Sequence, residues 1–136
     1  MSNYLFVYGK LRSNIRTDIT DQIKLLDCTF RDGKIYGYKL FIDKENNPII
    51  QKTVNSNDYV IGELIQCDNN KFNKLIEIID KFSDCPTLYK KHFVIITIGN
   101  DQIHGFTYFP NKIQKYYECE YNDYTEFIKN KININN

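Results

Sequence analysis

Several things are missing or scarce in this sequence of 136 residues, and each scarcity closes off a class of function. Charge of one sign is missing. Eighteen Lys and Arg stand against 17 Asp and Glu, a formal net charge of +1, so no sequence-wide field draws in nucleic acid or an anionic membrane. Long apolar runs are also missing, and no stretch approaches the roughly 20 residues that a membrane helix needs. Tyr4 to Tyr8 is apolar but gives way at once to Gly9, Lys10 and Arg12, too short a run for the core of a signal peptide. Cys28, Cys67, Cys85 and Cys119 lie far apart with no C-x-x-C, and His92 and His104 fit no common zinc spacing. Neither a metal site nor a redox pair is therefore expected, and reduced thiols in a cytoplasmic protein are the expectation. Alanine is absent while Ile, Lys and Asn dominate. That bias reflects an A/T-rich genome, so individual Asn and Lys residues carry little weight.

What is present is globular. Apolar residues make up 42% and aromatics 15%, with 11 Tyr and 9 Phe, enough for a real core in one domain spanning residues 1–136. Asn3 to Tyr8 reads as a buried strand stopped at Gly9, and Asp18 to Leu26 as a short helix. Cys28 to Ile42, interrupted by Gly33 and Gly37, reads as a strand with a bend or bulge. Two further strands, Pro48 to Val54 and Tyr59 to Cys67, flank the Asn55 to Asp58 turn. In Lys71 to Phe82, the residues Phe72, Leu75, Ile76, Ile79 and Phe82 share one helical face, Asp68 or Asn69 caps the start, and Pro86 forces an end near Ser83. Leu88 to Ile98 and Gln102 to Phe109 form a hairpin around Gly99, and Tyr124, Phe127, Ile128 and Ile132 line one face of a C-terminal helix. Strands outnumber helices, and the expected fold class is α+β, a mixed sheet or small mixed β-barrel with one packed amphipathic helix and a C-terminal helix.

The segment Tyr8-Gly9-Lys10-Leu11-Arg12 follows the first strand directly. A junction of this kind either turns backbone N–H groups into a cleft, where they hold a carboxylate or a developing oxyanion, or simply closes the strand. Leu5-Phe6-Val7-Tyr8-Gly9-Lys10-Leu11-Arg12 resembles the opening motif of the gamma-glutamylcyclotransferase-like superfamily, F-V-Y-G-T-L-[RK]. The resemblance continues in Gly33-Lys34-Ile35-Tyr36, in Val60-Ile61-Gly62-Glu63-Leu64, and in Ile79-Asp80-Lys81-Phe82-Ser83-Asp84-Cys85-Pro86-Thr87-Leu88-Tyr89-Lys90. It ends in Gly105-Phe106-Thr107-Tyr108, so that blocks in the family's order span residues 5 to 108. The proline form of the fourth block is similar to the gamma-glutamylaminecyclotransferase branch.

The resemblance implies a barrel with a polar cavity, no cofactor, and a small gamma-glutamyl molecule as partner, with no nucleic acid and no membrane. In that chemistry the substrate's own α-amino group attacks its γ-carbonyl, giving 5-oxoproline and a free amine. The protein must then deprotonate the α-ammonium and stabilise the oxyanion. The resemblance puts substrate binding at Tyr8, Gly9, Lys10, Leu11, Tyr89 and Tyr108, and the catalytic glutamate's position at Ser83. Serine carries no carboxylate to act as that base. Asp84 follows directly, shifted along the backbone and one methylene shorter. Glu63 is retained, either lining the cavity or accepting hydrogen bonds structurally. Lys10 stands where Thr or Ser is usual, facing either the cavity or solvent. Tyr89 and Tyr108 are read as core or as ligand contacts. Three functions follow: a cyclotransferase using Asp84 or Glu63, a catalytically inactive binder of gamma-glutamyl or similar ligands, or an interaction module presenting Tyr116, Tyr117, Tyr121 and Tyr124.

Overall fold

The computed structural model describes residues 3–15, 17–83, 85, 87–111 and 116–135, with backbone alone for 132–135. Strand β1, Tyr4–Val7, is apolar throughout because both of its faces are covered. Leu5 and Val7 pack toward the helices, while Phe6, with Tyr8 just beyond the strand, packs into the barrel core. That alternation is the two-residue period of a strand. Helix α1, Asp18–Lys24, starts at a capping box in which Thr17 Oγ1 accepts from the Thr20 N–H at 3.1 Å.

The bend expected between Cys28 and Ile42 is a change of sheet. β2, Thr29–Tyr36, belongs to the barrel, and β3, Tyr38–Ile42, to a second sheet. The chain changes sheet at Gly37, whose φ of 84° lies in the region that favours glycine. β3 pairs with β4, Pro48–Lys52, and with a two-residue strand β8, Tyr117–Glu118. The barrel continues with β5, Tyr59–Gln66, then helix α2, Asn69–Ser83, then the hairpin β6, Tyr89–Ile98, and β7, Asp101–Pro110. Its strand order is β1-β5-β2-β6-β7, closed by a parallel contact of Leu5 with Phe106. Asp68 caps α2 by accepting from the Lys71 N–H at 3.0 Å, and the helix ends at Ser83 as expected. Helix α3, Tyr124–Asn135, closes the chain.

One core cluster joins the barrel residues Phe6, Ile35, Leu64 and Ile96 to Leu40 and Ile50 of the small sheet and to Tyr124 of α3. The other lies under α1 and α2 and includes Leu5, Ile23, Ile65, Phe72, Leu75 and Ile79. Tyr124 is only 1% exposed, so the four tyrosines read as a possible surface patch do not form one. No helix among the described residues is long and apolar enough to cross a membrane.

The expectation of four reduced thiols needs correction: Cys28 and Cys67 form a disulfide, with Cα atoms 4.9 Å apart. Sequence spacing gave no hint because the pairing comes from register. The ladder of β2 with β5 pairs Thr29 with Gln66, so the next residue on each chain meets the other. Removing this link, by reductant or by Cys28→Ser with Cys67→Ser, should lower stability by up to about 4 kcal/mol, the chain-entropy value for a sequence separation of 39. The ladder itself should hold. Denaturant titrations with and without reductant, accompanied by far-UV circular dichroism, measure both effects.

Candidate active site

β1 and β7 run parallel, and β6 runs antiparallel to β7, so the C-terminal ends of β1 and β7 and the start of β6 meet at one end of the barrel. A cavity of about 290 Å³ opens there, at the small end of the range for small-molecule sites. The turn Tyr8, Gly9, Lys10 and Leu11 forms one wall, Ser83 at the end of α2 and Tyr89 of β6 another, and Thr107 and Tyr108 of β7 the floor. Asn47 and Pro48 approach from the small sheet. Gly9 is required by that approach, because a Cβ there would meet Pro48 Cγ at 2.5 Å.

Seven of the nine residues singled out from the sequence thus line one cavity: Tyr8, Gly9, Lys10, Leu11, Ser83, Tyr89 and Tyr108. Asp84 lies outside the described residues. Glu63 does not line the cavity. It is buried behind the turn, where Oε1 accepts from the Ser13 N–H at 2.8 Å and from Arg12 Nε at 3.3 Å, and Oε2 accepts from Ser13 Oγ at 2.6 Å. Of its two readings, the structural acceptor is the one the geometry supplies. Arg12 Nη1 also donates to Asp123, immediately before α3.

The phenols of the site are neutral donors. Burial drives Tyr8 far above the ordinary tyrosine value, with neighbouring Tyr89 and Tyr116 adding to it, and its Oη donates to the Tyr108 carbonyl at 3.0 Å. Burial likewise raises Tyr108, helped by the hydrogen bond it donates to Asp80 at 2.5 Å and by that carboxylate's charge. Lys91 Nζ holds both Asp80 oxygens, at 2.9 and 2.8 Å. Burial and then Asp80 also push the Cys85 thiol up, against a smaller opposing pull from Lys91, so this cysteine is not an activated nucleophile.

Sequence reasoning missed this Asp80, Lys91 and Tyr108 arrangement, although Asp80 and Tyr108 both fall inside quoted motifs. Its members are 11 and 28 residues apart and meet only because α2 packs beside the hairpin. Asn47 was missed for another reason: in so Asn-rich a chain a single Asn carries no signal. Among the described residues no group of three or more His, Cys, Asp or Glu converges as metal ligands.

The site is thus a small, mostly uncharged cavity at one end of a closed five-stranded barrel. The family described as gamma-glutamyl cyclotransferase, AIG2-like, matches residues 5–126, and the chain belongs to that family. Among solved structures it is similar to an AIG2-like protein from Mus musculus, with a TM-score of 0.64 and 20% identity over 82% of this chain and 78% of that one. A gamma-glutamyl cyclotransferase is similar at a TM-score of 0.59 and 17% identity, over 86% of this chain and 71% of that one. A uropathogenic E. coli-specific protein gives a TM-score of 0.67 at 14% identity, covering 93% and 94% of the two chains. No curated protein matches. The fold expected from the sequence, an α+β barrel with packed helices, is the fold observed.

If Glu63 is a structural anchor, Glu63→Gln should destabilise the protein by about 3 kcal/mol, at the low end for breaking a buried pair because Asp123 still faces Arg12. Urea unfolding measures this. An unchanged midpoint would return Glu63 to the list of functional candidates.

Proposed function

We propose that this protein cyclises a gamma-glutamyl amide or amine to 5-oxoproline with release of the amine, at a rate weakened by Ser83. The observation that carries the reading is the convergence of the Tyr8 to Leu11 turn, Ser83, Tyr89 and Tyr108 on one cavity, joining motifs that are remote in sequence. In the reaction, the α-amino nitrogen of the substrate forms a bond to its γ-carbonyl carbon. The carbonyl oxygen takes up negative charge, and the bond to the departing amine breaks as that amine receives a proton. The turn's part is to offer N–H groups. Its backbone bond among the described residues runs from the Arg12 N–H to the Gly9 carbonyl at 3.1 Å, which leaves the Lys10 and Leu11 N–H groups for a carboxylate or the oxyanion. Tyr89, raised by burial and by Asp43, adds a neutral phenol.

The missing function is the base. Ser83 provides none, and we assign the residual role to Asp84, the next residue in the chain. A second reading, a catalytically inactive binder of the same ligands, is favoured by one observation: none of the described lining residues is a carboxylate. We read residues 1–136 as one domain acting in the cytoplasm, where reduction of the Cys28 to Cys67 link would leave the β2 and β5 ladder to hold that seam.

Both readings require binding. Gamma-glutamyl amino acids or 5-oxoproline at about 100 times Kd should stabilise the fold by about 2.7 kcal/mol, seen as a rise in Tm. A flat titration with all of them would remove both readings while leaving the fold assignment intact.

Release of 5-oxoproline by the wild type separates the two readings, and position 83 tests what makes that release slow or absent. Ser83→Glu should raise 5-oxoproline release by about 100- to 10,000-fold, the usual contribution of general-base assistance. Activity should rise with pH through the pKa of the new carboxylate, because only the ionised form accepts the proton. Ser83→Gln has a similar size and cannot act as this base, so it should stay as slow as the wild type. Equal rates in folded Glu and Gln variants that still bind ligand would show that position 83 does not limit turnover.

A further inference from the structure

Position 10 is where this chain departs from its family's motif a second time, and its lysine is not simply a surface residue facing away. Lys10 lines the cavity and is the one charged side chain among its described lining residues. Its ammonium is aimed by a chain of fixed partners. Nζ donates to Asn47 Oδ1, and the Asn47 side-chain amide and backbone N–H donate to Asp43 at 3.1 and 2.8 Å. The bend that carries Asn47 is tied down by Tyr124 Oη, which donates to the Asn46 carbonyl at 2.7 Å. Asp43 also accepts from the Glu45 N–H at 2.9 Å. Burial raises the Asp43 carboxyl, but these bonds and the nearby Lys10 charge outweigh it and hold the group below its ordinary value. It is thus an ionised brace behind Asn47, with its oxygens already engaged. An ammonium has three N–H donors, and Asn47 Oδ1 occupies one of them.

Depth decides which part of a ligand Lys10 meets. Tyr8, Thr107 and Tyr108 are buried, whereas Lys10 is exposed and shares the mouth with Phe82 and Leu88, 48% and 57% exposed. The part of the ligand that cyclises belongs at the buried end, against the turn and the phenols. The amine that departs needs the route to solvent and so lies toward the mouth.

We propose that Lys10 makes the cavity selective for gamma-glutamyl compounds whose departing amine carries an anionic group, a carboxylate foremost. The inference deepens the cyclotransferase or binder reading and rests on it. An exposed cation of this kind contributes modestly and is screened by salt.

The test compares gamma-glutamylglycine with gamma-glutamylglycinamide, which differ in one group of similar size, a carboxylate or a neutral amide. Dissociation constants by calorimetry on the full chain, at low and high salt, are expected to favour the carboxylate by about fivefold at low salt and by less at high salt. Lys10→Met should bring the two ligands to within about twofold by selectively weakening gamma-glutamylglycine. Equal affinities in the wild type would overturn the role of Lys10 while leaving the proposed function in place. A loss in Lys10→Met shared equally by both dipeptides and by 5-oxoproline would also overturn it, by placing the lysine on the glutamyl part. Binding of none of the three would overturn the underlying reading, and this inference with it.

Discussion

Arg12 is 5% exposed, with its guanidinium between Glu63 and Asp123, and the main wall of the cavity depends on that burial. The arginine ends the turn that begins at Tyr8, Glu63 belongs to the strand paired with β1, and Asp123 precedes α3. Asp123 also accepts from the Thr125 N–H at 2.9 Å, and Ile61 donates to the Asn122 carbonyl at 2.8 Å, so one charge ties three distant segments together. Such a network adds little net stability over an apolar replacement, but losing a single member leaves a buried charge short of a partner. It fixes where the turn lies, and the turn's N–H groups are useful only if they stay in place.

The parts of this structure legible in the sequence are those with a strong local period or a local break. α2 was readable because Phe72, Leu75 and Ile79 recur at helical spacing behind Asp68, and the β6 and β7 hairpin because apolar runs flank Gly99. β1 was readable as a strand because an apolar run halts at a glycine, although the need for that glycine, the contact with Pro48, was not. Register and sheet membership were out of reach. Gly37 marked an interruption without saying that the chain leaves the barrel there, and a two-residue β8 is too short to carry any period. The pairing of Cys28 with Cys67 follows from the β2 and β5 register alone.

The site was legible to a different degree again. Motif resemblance pointed to the turn, Ser83, Tyr89 and Tyr108, which the fold gathers into one cavity, because each motif carries its own strand or helix end. It also pointed to Glu63, which the fold turns to the other side of the turn. A carboxylate in a strand looks the same in sequence whether it faces ligand or arginine. What separates the two is the side of the strand on which Arg12 and Ser13 come to lie.

Cyclisation of a gamma-glutamyl group has a feature that decides what the loss of one carboxylate means. Nucleophile and electrophile already belong to one molecule in solution, so much of the large advantage of bringing reactants together resides in the substrate, not the protein. The protein's remaining share is selection of the closing conformer, oxyanion donors worth about 100- to 1,000-fold each, and a base worth about 100- to 10,000-fold. On the proposed reading, a serine at position 83 therefore removes one of the largest contributions available to this fold. The groups proposed to hold the ligand are others: the turn, Tyr89 and the lysine at the mouth, all of which line the cavity. On that reading the base is separable from the groups proposed to hold the ligand, so substitution at position 83 lowers turnover by orders of magnitude while leaving binding intact.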